Sequence, residues 1–281
     1  MHVPRLLTGS TNAARDAAAG LASRVVNPSG RPSDAQLRAA VEGQVVLVTG
    51  ASHGIGRAAA LRLGGAGATV LALARSEDLL TELVGEIETA GGRAVAVPAD
   101  LTDLDALPGV AERILAVEGQ VDVVVSNAGK SIRRSLALTY DRFHDVTRTT
   151  DVNYLGPVRL LLSLLPAMQA RGDGHVVNVS TIGVLVPPAP RWSAYQASKA
   201  AFDVWLRSVA GELAADGVAT TSIYLALVHT RMSAPTDDFD WVPGLRPDQA
   251  ADLICNALVE RPRTITPWWA TAAGVLGSVA P

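Results

Sequence analysis

Cysteine and long apolar runs are scarce in this chain, and each scarcity excludes a class of protein. One cysteine, Cys255, excludes a disulfide framework and suits a reducing compartment. No run of about 18 apolar residues predicts a membrane span, and no secretory signal is recognisable, so we expect a cytoplasmic protein. The five histidines lack metal-ligand spacing. A formal charge of −3 offers no strong field for nucleic acid, which we do not expect as a partner.

What the chain has in abundance is apolar residues, arranged in alternating strand and helix patterns. Hydrophobic residues make up 48% of 281, enough for one large α/β domain. Apolar runs predict strands at residues 44–49, 69–74, 94–98, 121–125, 175–180, 220–225 and 263–266, with helices at 55–66, 76–90, 103–117, 139–170, 193–215 and 247–260. Because the strands are almost continuously apolar, helices should cover both faces. The pattern predicts an α/β doubly wound parallel sheet in a single domain.

The two ends of the chain lack this alternating pattern of strands and helices. Residues 1–42 are predicted to form an N-terminal extension, with a short helix at 11–26 followed by a linker. That helix is either a loosely docked arm or a contact to a partner or membrane. Residues 43–265 form the domain. Residues 266–281 form an apolar tail, which either closes the core, contacts another subunit, covers an acyl chain or lies on a membrane.

A glycine-rich turn follows the first predicted strand. The run Val45-Val46-Leu47-Val48-Thr49-Gly50-Ala51-Ser52-His53-Gly54-Ile55-Gly56 passes from strand to glycines to helix, which is the context of a dinucleotide site. Gly50 permits a tight turn, while Gly54 and Gly56 let the backbone approach a pyrophosphate. The following helix start offers free N–H groups and a positive dipole end to phosphates.

Tyr195 and Lys199 are four residues apart in a predicted helix, so both side chains face the same way. A free phenol has a pKa near 10 and is a poor acid–base catalyst at neutral pH. A nearby ammonium favours the phenolate and is expected to lower that pKa, which would make proton exchange at a substrate oxygen feasible.

These two motifs, together with Ser126-Asn127-Ala128-Gly129 and Asn153 in this order, make residues 43–265 resemble the short-chain dehydrogenases/reductases. The resemblance implies a Rossmann-type fold and hydride transfer between a nicotinamide cofactor and a carbonyl or alcohol. It implies that Tyr195 is the acid–base residue, that Lys199 tunes it and binds the nicotinamide ribose, and that Asn153 holds a proton-relay water. It further implies cofactor contacts at Gly50, Ser52, His53, Gly54, Ile55, Gly56, Asp100, Leu101, Asn127, Ala128, Gly129, Val228 and Thr230. Asp100 would contact adenine, although it also suits a plain turn or helix-cap role.

Two positions depart from the family pattern. The family's substrate-binding serine is usually the second of a serine pair, which here reads Ser180-Thr181. Register places Thr181 in that slot, but a longer segment before Tyr195 leaves Ser180 open as the alternative. The family's Pro-Gly after the sixth strand is replaced by Leu225-Ala226, which is expected to alter the nicotinamide pocket.

The end of the second strand bears on the choice of cofactor. An acidic side chain there would bind the ribose 2′-hydroxyl and select NAD, but the position holds Ala74, followed by Arg75. A guanidinium suits a 2′-phosphate through charge-assisted hydrogen bonds. We therefore expect NADP(H), with Arg75 among the residues that bind it, and reduction as the direction in the cell.

The residues around these motifs resemble one subgroup of this family. Asn127-Ala128-Gly129-Lys130-Ser131-Ile132-Arg133-Arg134 and Arg191-Trp192-Ser193-Ala194-Tyr195 are similar to a bacterial subgroup of fatty acyl-CoA reductases. This similarity implies reduction of a long-chain acyl thioester to an aldehyde, with Arg133 and Arg134 either meeting CoA phosphates or simply solvated. A 3-oxoacyl, ketone or hydroxysteroid-type reductase is the alternative within the family. A catalytically silent sensor or scaffold is the alternative outside enzymes. A homo-oligomer is expected, and peripheral membrane contact is left open.

Overall fold

The computed structural model describes residues 30–186, 188–236 and 242–270, which contain one seven-stranded parallel sheet. The strands are β1 (Val45–Thr49), β2 (Thr69–Ala74), β3 (Arg93–Pro98), β4 (Val123–Ser126), β5 (Gly174–Thr181), β6 (Val218–Leu225) and β7 (Thr264–Ile265). Their order across the sheet is β3-β2-β1-β4-β5-β6-β7. β2 and β3 are added on one side of β1, and β4 to β7 are added on its other side. This is the arrangement of a doubly wound fold. The predicted fold class and all seven strands are confirmed, with strand ends shifted by a few residues.

Helices cover both faces of the sheet. They are α1 (Asp34–Val41), α2 (Gly54–Gly65), α3 (Glu77–Thr89), α4 (Leu107–Glu118), α5 (Phe143–Thr150), α6 (Gly156–Arg171), α7 (Ser193–Ala215) and α8 (Pro247–Glu260). β1 shows why both faces are apolar: Val46 and Val48 belong to one core cluster, and Val45 and Leu47 to the other. Alternate residues of a strand point to opposite faces, so a continuously apolar strand fits a sheet buried on both sides. Cys255, in α8, is buried in the first cluster as a small apolar residue.

Two helical regions differ from the prediction. The helical stretch predicted near 139–170 is found at residues 143–171, but a π-helical turn, Asp151–Leu155, lies between α5 and α6. Gly156 follows this turn, and its missing side chain lets the backbone approach the Leu101 carbonyl. The segment predicted as extension contains α1, whose Leu37 and Val41 are buried in the core against α8. A capping box at Ser33 starts this helix, with the Gln36 amide donating to the Ser33 hydroxyl.

Other expectations about the chain ends lie outside the described residues. These are the helix predicted at 11–26 and most of the apolar tail. The indole of Trp268, at the start of that tail, is 67% exposed, whereas Ala270 is fully buried. Within the described ranges, no helix is both long and apolar enough to cross a membrane. The same residues bring together no group of three or more metal-ligating side chains.

His175, at the amino end of β5, predicts a pH dependence of folding. Its Nε2 contacts the Thr221 hydroxyl at 2.9 Å, and its Nδ1 has no partner among the described residues. Burial lowers the pKa of His175 from 6.5 to about 4. Between those values the unfolded chain binds a proton that the folded chain does not, so stability falls as pH drops from about 6.5 to 4.

We expect the free energy of unfolding to fall by on the order of 3 kcal/mol across this interval, at 1.36 kcal/mol per pKa unit. His175→Gln keeps a donor for Thr221 but does not titrate, so it should flatten this slope in denaturant titrations. His229→Gln, at an exposed position after β6, is the matched control for the exchange itself. An unchanged slope in His175→Gln would contradict the assignment.

Candidate active site

The candidate site lies where β1, β4 and β5 end, since the carboxyl ends of parallel strands meet at one edge of a sheet. The glycine-rich turn after β1 is tightly packed there. Gly50 has φ +69°, and a Cβ on it would lie 2.9 Å from the Ala128 Cα. A Cβ on Gly56 would collide with the Gly50 carbonyl. Both positions therefore require glycine, one for its backbone conformation and both for close approach.

Thr49 joins this turn to the loop after β4. Its Oγ1 accepts hydrogen bonds from the backbone amides of Asn127 and Ala128, both at 3.0 Å. The Asn127 side chain donates in return to the Thr49 carbonyl at 2.9 Å. The two loops predicted to bind the cofactor are thus held against each other by side-chain to backbone bonds.

The start of α2 fits the phosphates of a dinucleotide. Its N-cap residue, His53, makes no side-chain hydrogen bond to the helix amides, and its first turn contains no acidic residue. Ile55, in the same turn, packs against the core beneath. Free N–H groups at a positive helix end, beside glycines without side chains, are what an anionic pyrophosphate requires.

Tyr195 and Lys199 lie in the first two turns of α7, next to the end of β5. Thr181 is the neighbouring hydroxyl that acts on the Tyr195 phenol, and this interaction partly offsets the rise in the pKa of the phenol that burial causes. Thr181 Oγ1 also accepts from the Gly183 amide at 3.2 Å. Ser180 is 4% exposed, and its Oγ has no partner among the described residues. Adjacent strand residues point to opposite faces, so only Thr181 reaches the Tyr195 hydroxyl.

The protonation behaviour of this pair differs from the expectation that Lys199 lowers the pKa of Tyr195. Burial raises the pKa of Tyr195, and the hydrogen bond from Thr181 offsets this only in part. Burial lowers the pKa of Lys199 to about 8, and its Nζ donates to the Val179 carbonyl at 3.0 Å. The Lys199 ammonium is held by the Val179 carbonyl of β5. Loss of hydration is the largest influence on the pKa of the Tyr195 phenol.

Asn153 sits in the π-helical turn and is 1% exposed. Its Oδ1 accepts from the Lys130 amide at 2.8 Å, while its Nδ2 donates to the Lys130 carbonyl and to Ser198 Oγ, both at 2.9 Å. Ser198 in turn donates to the Tyr195 carbonyl at 2.9 Å. Both amide hydrogens are therefore used, and a relay water would have only the remaining Oδ1 lone pair or the backbone to bind. Ser198, which sequence reasoning missed, connects Asn153 to the backbone of the Tyr195 turn.

Arg75 follows β2 at the expected cofactor-selecting position. Its side chain is 75% exposed, and Nη1 lies 3.8 Å from Asp100 Oδ2. The other Asp100 oxygen accepts from the Thr102 amide and hydroxyl, both at 2.9 Å, which makes Asp100 a turn residue in this structure. Leu101 is buried in the core, so its side chain packs the fold and only its backbone is left to line the site.

The segment after β6 folds back over the glycine-rich turn. Val228 is buried and pairs with Leu245, and a Cβ on Gly54 would lie 3.4 Å from Thr230 Cγ2. Arg231, also missed by sequence reasoning, contacts His53 with Nη1 and Nε2 3.3 Å apart. Its only signal in the sequence is its position next to Thr230. Leu225, which replaces the family's proline, is buried at the end of β6.

Arg134 is better explained by packing than by CoA phosphates. Its Nε donates to the buried Asp145 carboxylate at 3.0 Å, and Arg142 Nε donates to the same oxygen at 2.9 Å. These guanidinium groups hold the pKa of Asp145 below its ordinary value. Arg134 is therefore already paired, and of the two neighbouring arginines only Arg133 is exposed.

Comparison with known proteins identifies the family. The family model described as short chain dehydrogenase matches residues 44–241. The chain belongs to the short-chain dehydrogenase/reductase family. It is therefore an oxidoreductase of a family that binds a nicotinamide dinucleotide and acts on small molecules, and the predicted resemblance is confirmed.

Individual relatives support the similarity to fatty acyl-CoA reductases. A fatty acyl-CoA reductase of Acinetobacter baylyi is 46% identical over 248 residues, covering 88% of this chain and 84% of that protein. One of Mycobacterium tuberculosis is 43% identical over 239 residues, covering 85% and 81%. A metagenomic short-chain oxidoreductase solved with NADP is 32% identical, with a TM-score of 0.69 over 78% of this chain and 92% of its own. A Streptomyces avermitilis short-chain dehydrogenase is 33% identical, with a TM-score of 0.72 over 84% and 93%.

The two neighbouring hydroxyls on β5 give a direct test. Removing a donor to a transition-state oxygen typically raises the barrier by about 2.7–4 kcal/mol. We expect Thr181→Val to reduce turnover by about two to three orders of magnitude, because only Thr181 contacts Tyr195. Thr181→Ser retains the hydroxyl and should keep most activity. Ser180→Ala is the matched control; a larger loss in this variant than in Thr181→Val would assign the role to Ser180 instead.

Proposed function

We propose that this protein reduces a carbonyl group by hydride transfer from NADPH, with Tyr195 as the proton donor. The observation that carries the proposal is that Lys199, one helical turn from Tyr195, is held by the Val179 carbonyl of β5 and lies with Asn153 within 3.5 Å of where a Cβ on Gly129 would be. The hydroxyls of Tyr195 and Thr181 can then turn to a substrate oxygen and hold it while negative charge develops. The cofactor, when bound, supplies the hydride.

The remaining steps, which are proton donation, hydrogen bonding to the substrate and cofactor binding, are assigned to residues of this chain. Tyr195 donates its proton to the developing alkoxide, and Thr181 donates a hydrogen bond to the same oxygen. Lys199, whose Nζ is held beside β5 by the Val179 carbonyl, would bind the ribose hydroxyls of the cofactor. Asn153, through Ser198, fixes the backbone of the Tyr195 turn, and its relay role stays a prediction.

For the substrate we propose a long-chain acyl thioester, reduced to an aldehyde. Two relatives above 40% identity carry the name fatty acyl-CoA reductase, and the chain covers more than four fifths of each. In this reaction hydride adds to the thioester carbonyl carbon and Tyr195 protonates the oxygen. The resulting hemithioacetal then releases the thiol and leaves the aldehyde.

For the cofactor we propose NADP(H), with Arg75 contacting the 2′-phosphate. Its side chain is largely exposed, and Asp100 at 3.8 Å is a distant and solvated partner. Such an ion pair is worth at most about 1 kcal/mol, so a phosphate could displace it readily. The related oxidoreductase solved with NADP is consistent with this choice.

We also propose a homo-oligomer in which α6 and α7 contact a second copy. Leu162 on α6 is 54% exposed and Val204 on α7 is 52% exposed. Leu162, Trp205 and Val209 lie around a cavity between these helices. Exposed apolar side chains on adjacent helix faces favour burial against another subunit.

A screen of NADPH oxidation tests the reaction. We expect wild-type protein to oxidise NADPH with long-chain acyl-CoA and to form an aldehyde detectable by mass spectrometry. Tyr195→Phe removes only the phenol hydroxyl, so it should abolish turnover while NADPH still binds. Activity on ketones or 3-oxoacyl substrates alone would favour the other reductase class. Binding of NADPH without turnover of any carbonyl compound would favour a silent sensor.

The Arg75 variant tests the cofactor. Losing one charge-assisted contact costs about 1.5–3 kcal/mol, so Arg75→Ala should weaken NADPH binding by about 10- to 100-fold. NADH binding should hardly change, because NADH has no 2′-phosphate. Fluorescence titration of both cofactors measures the two affinities. Equal losses for NADPH and NADH would contradict the 2′-phosphate contact.

A further inference from the structure

Arg231 lies across the glycine-rich turn although it comes from the other half of the sheet. Thr230 Cγ2 would be 3.4 Å from a Cβ on Gly54. The Arg231 Nη1 is 3.3 Å from His53 Nε2, and His53 is the N-cap residue of α2. The guanidinium is therefore placed beside the amino end of that helix.

This arrangement brings positive groups together. The amino end of α2 carries partial positive charge, and its first turn contains no acidic residue. Among residues 30–186, 188–236 and 242–270, Arg231 forms an ion pair with no carboxylate, and its side chain contacts His53. A cation held at a positive helix end is unfavourable alone and becomes favourable when an anion binds between them.

The contact with His53 orients the guanidinium. Arginine can only donate, so His53 Nε2 must accept and the ring is the neutral Nδ1–H tautomer. Its Nδ1 then donates to Ser52 Oγ at 3.1 Å, which is consistent with the same tautomer. One Nη1 hydrogen is used by His53, and within the part of the chain that the structure describes the other guanidinium hydrogens are left for an anion.

The segment that carries Arg231 is held by its own hydrogen bonds. Ser233 Oγ accepts from the Thr230 amide at 2.9 Å and donates to the Val228 carbonyl at 3.0 Å. The Met232 amide donates to Thr230 Oγ1 at 3.2 Å. Val228 is paired with Leu245 by a β-bridge. These bonds hold the turn that carries Arg231 in one conformation. Less conformational entropy is therefore lost when Arg231 binds a ligand.

We propose that Arg231, oriented by His53, binds the pyrophosphate of the dinucleotide from the side opposite the α2 amides. The pyrophosphate would then be held between two elements, the glycine-rich turn and the segment after β6. This role rests on dinucleotide binding alone, and depends neither on the carbonyl substrate nor on the choice between NADPH and NADH.

Four ligands distinguish the proposed contact of Arg231 with the pyrophosphate from the proposed contact of Arg75 with the 2′-phosphate. NADPH, NADH and ADP-ribose contain a pyrophosphate, whereas adenosine 2′-monophosphate contains only the 2′-phosphate. We expect Arg231→Gln to weaken binding of the first three by about 10- to 100-fold, and to leave adenosine 2′-monophosphate unchanged. Arg75→Ala should give the opposite pattern, with losses for NADPH and adenosine 2′-monophosphate only. Calorimetric titration of the four ligands measures these affinities without turnover.

Further variants complete the test. Arg231→Lys keeps the charge and should recover part of the affinity, and His53→Ala should give an intermediate loss. Arg113→Gln, an exposed arginine on α4, controls for the loss of one positive charge. Wild-type affinity of Arg231→Gln for ADP-ribose would overturn the proposal, as would a loss confined to adenosine 2′-monophosphate. A wild-type protein that binds none of the four ligands would overturn the dinucleotide site itself.

Discussion

The close approach of two loops beneath the site is the constraint on which the rest depends. Thr49 hydrogen bonds to the amides of Asn127 and Ala128, and this leaves no room for side chains at Gly50 or Gly56. A Cβ at either glycine would push the loops apart and displace the start of α2. The amino end of that helix, where we propose that phosphates bind, and the groups that follow β4 are therefore positioned by one packing contact.

The groups on β5 and α7 are fixed by a second set of contacts. The π-helical turn brings Asn153 inward, where it holds the Lys130 backbone and Ser198. A regular helix through residues 151–155 would present Asn153 at a different angle, because a π-turn inserts one extra residue into the helical repeat. π-Turns inside α-helices occur often at functional sites, and this one links three elements of the candidate site.

Electrostatics in the site are set by burial more than by proximity in sequence. Lys199 and Tyr195 face the same way, yet burial raises the pKa of Tyr195 and lowers the pKa of Lys199 to about 8. The Val179 carbonyl holds the ammonium in place at the same time. Such perturbed groups clustered at the end of a parallel sheet are typical of active sites, which agrees with the family assignment.

The sequence alone determined the fold class and the order of the strands along the chain, because apolar periodicity and glycine spacing are local patterns. It also led to Tyr195, Lys199, Asn153 and the glycine-rich turn as candidate site residues, because their residue types and spacing carry their own chemical meaning. Only the tertiary structure puts Thr181, rather than Ser180, beside the Tyr195 phenol, since the face of a strand depends on register. The π-turn and the pairing of Arg134 with Asp145 likewise depend on contacts between separate elements. Arg231 meets His53 across 178 residues of chain, so no local pattern could place them together.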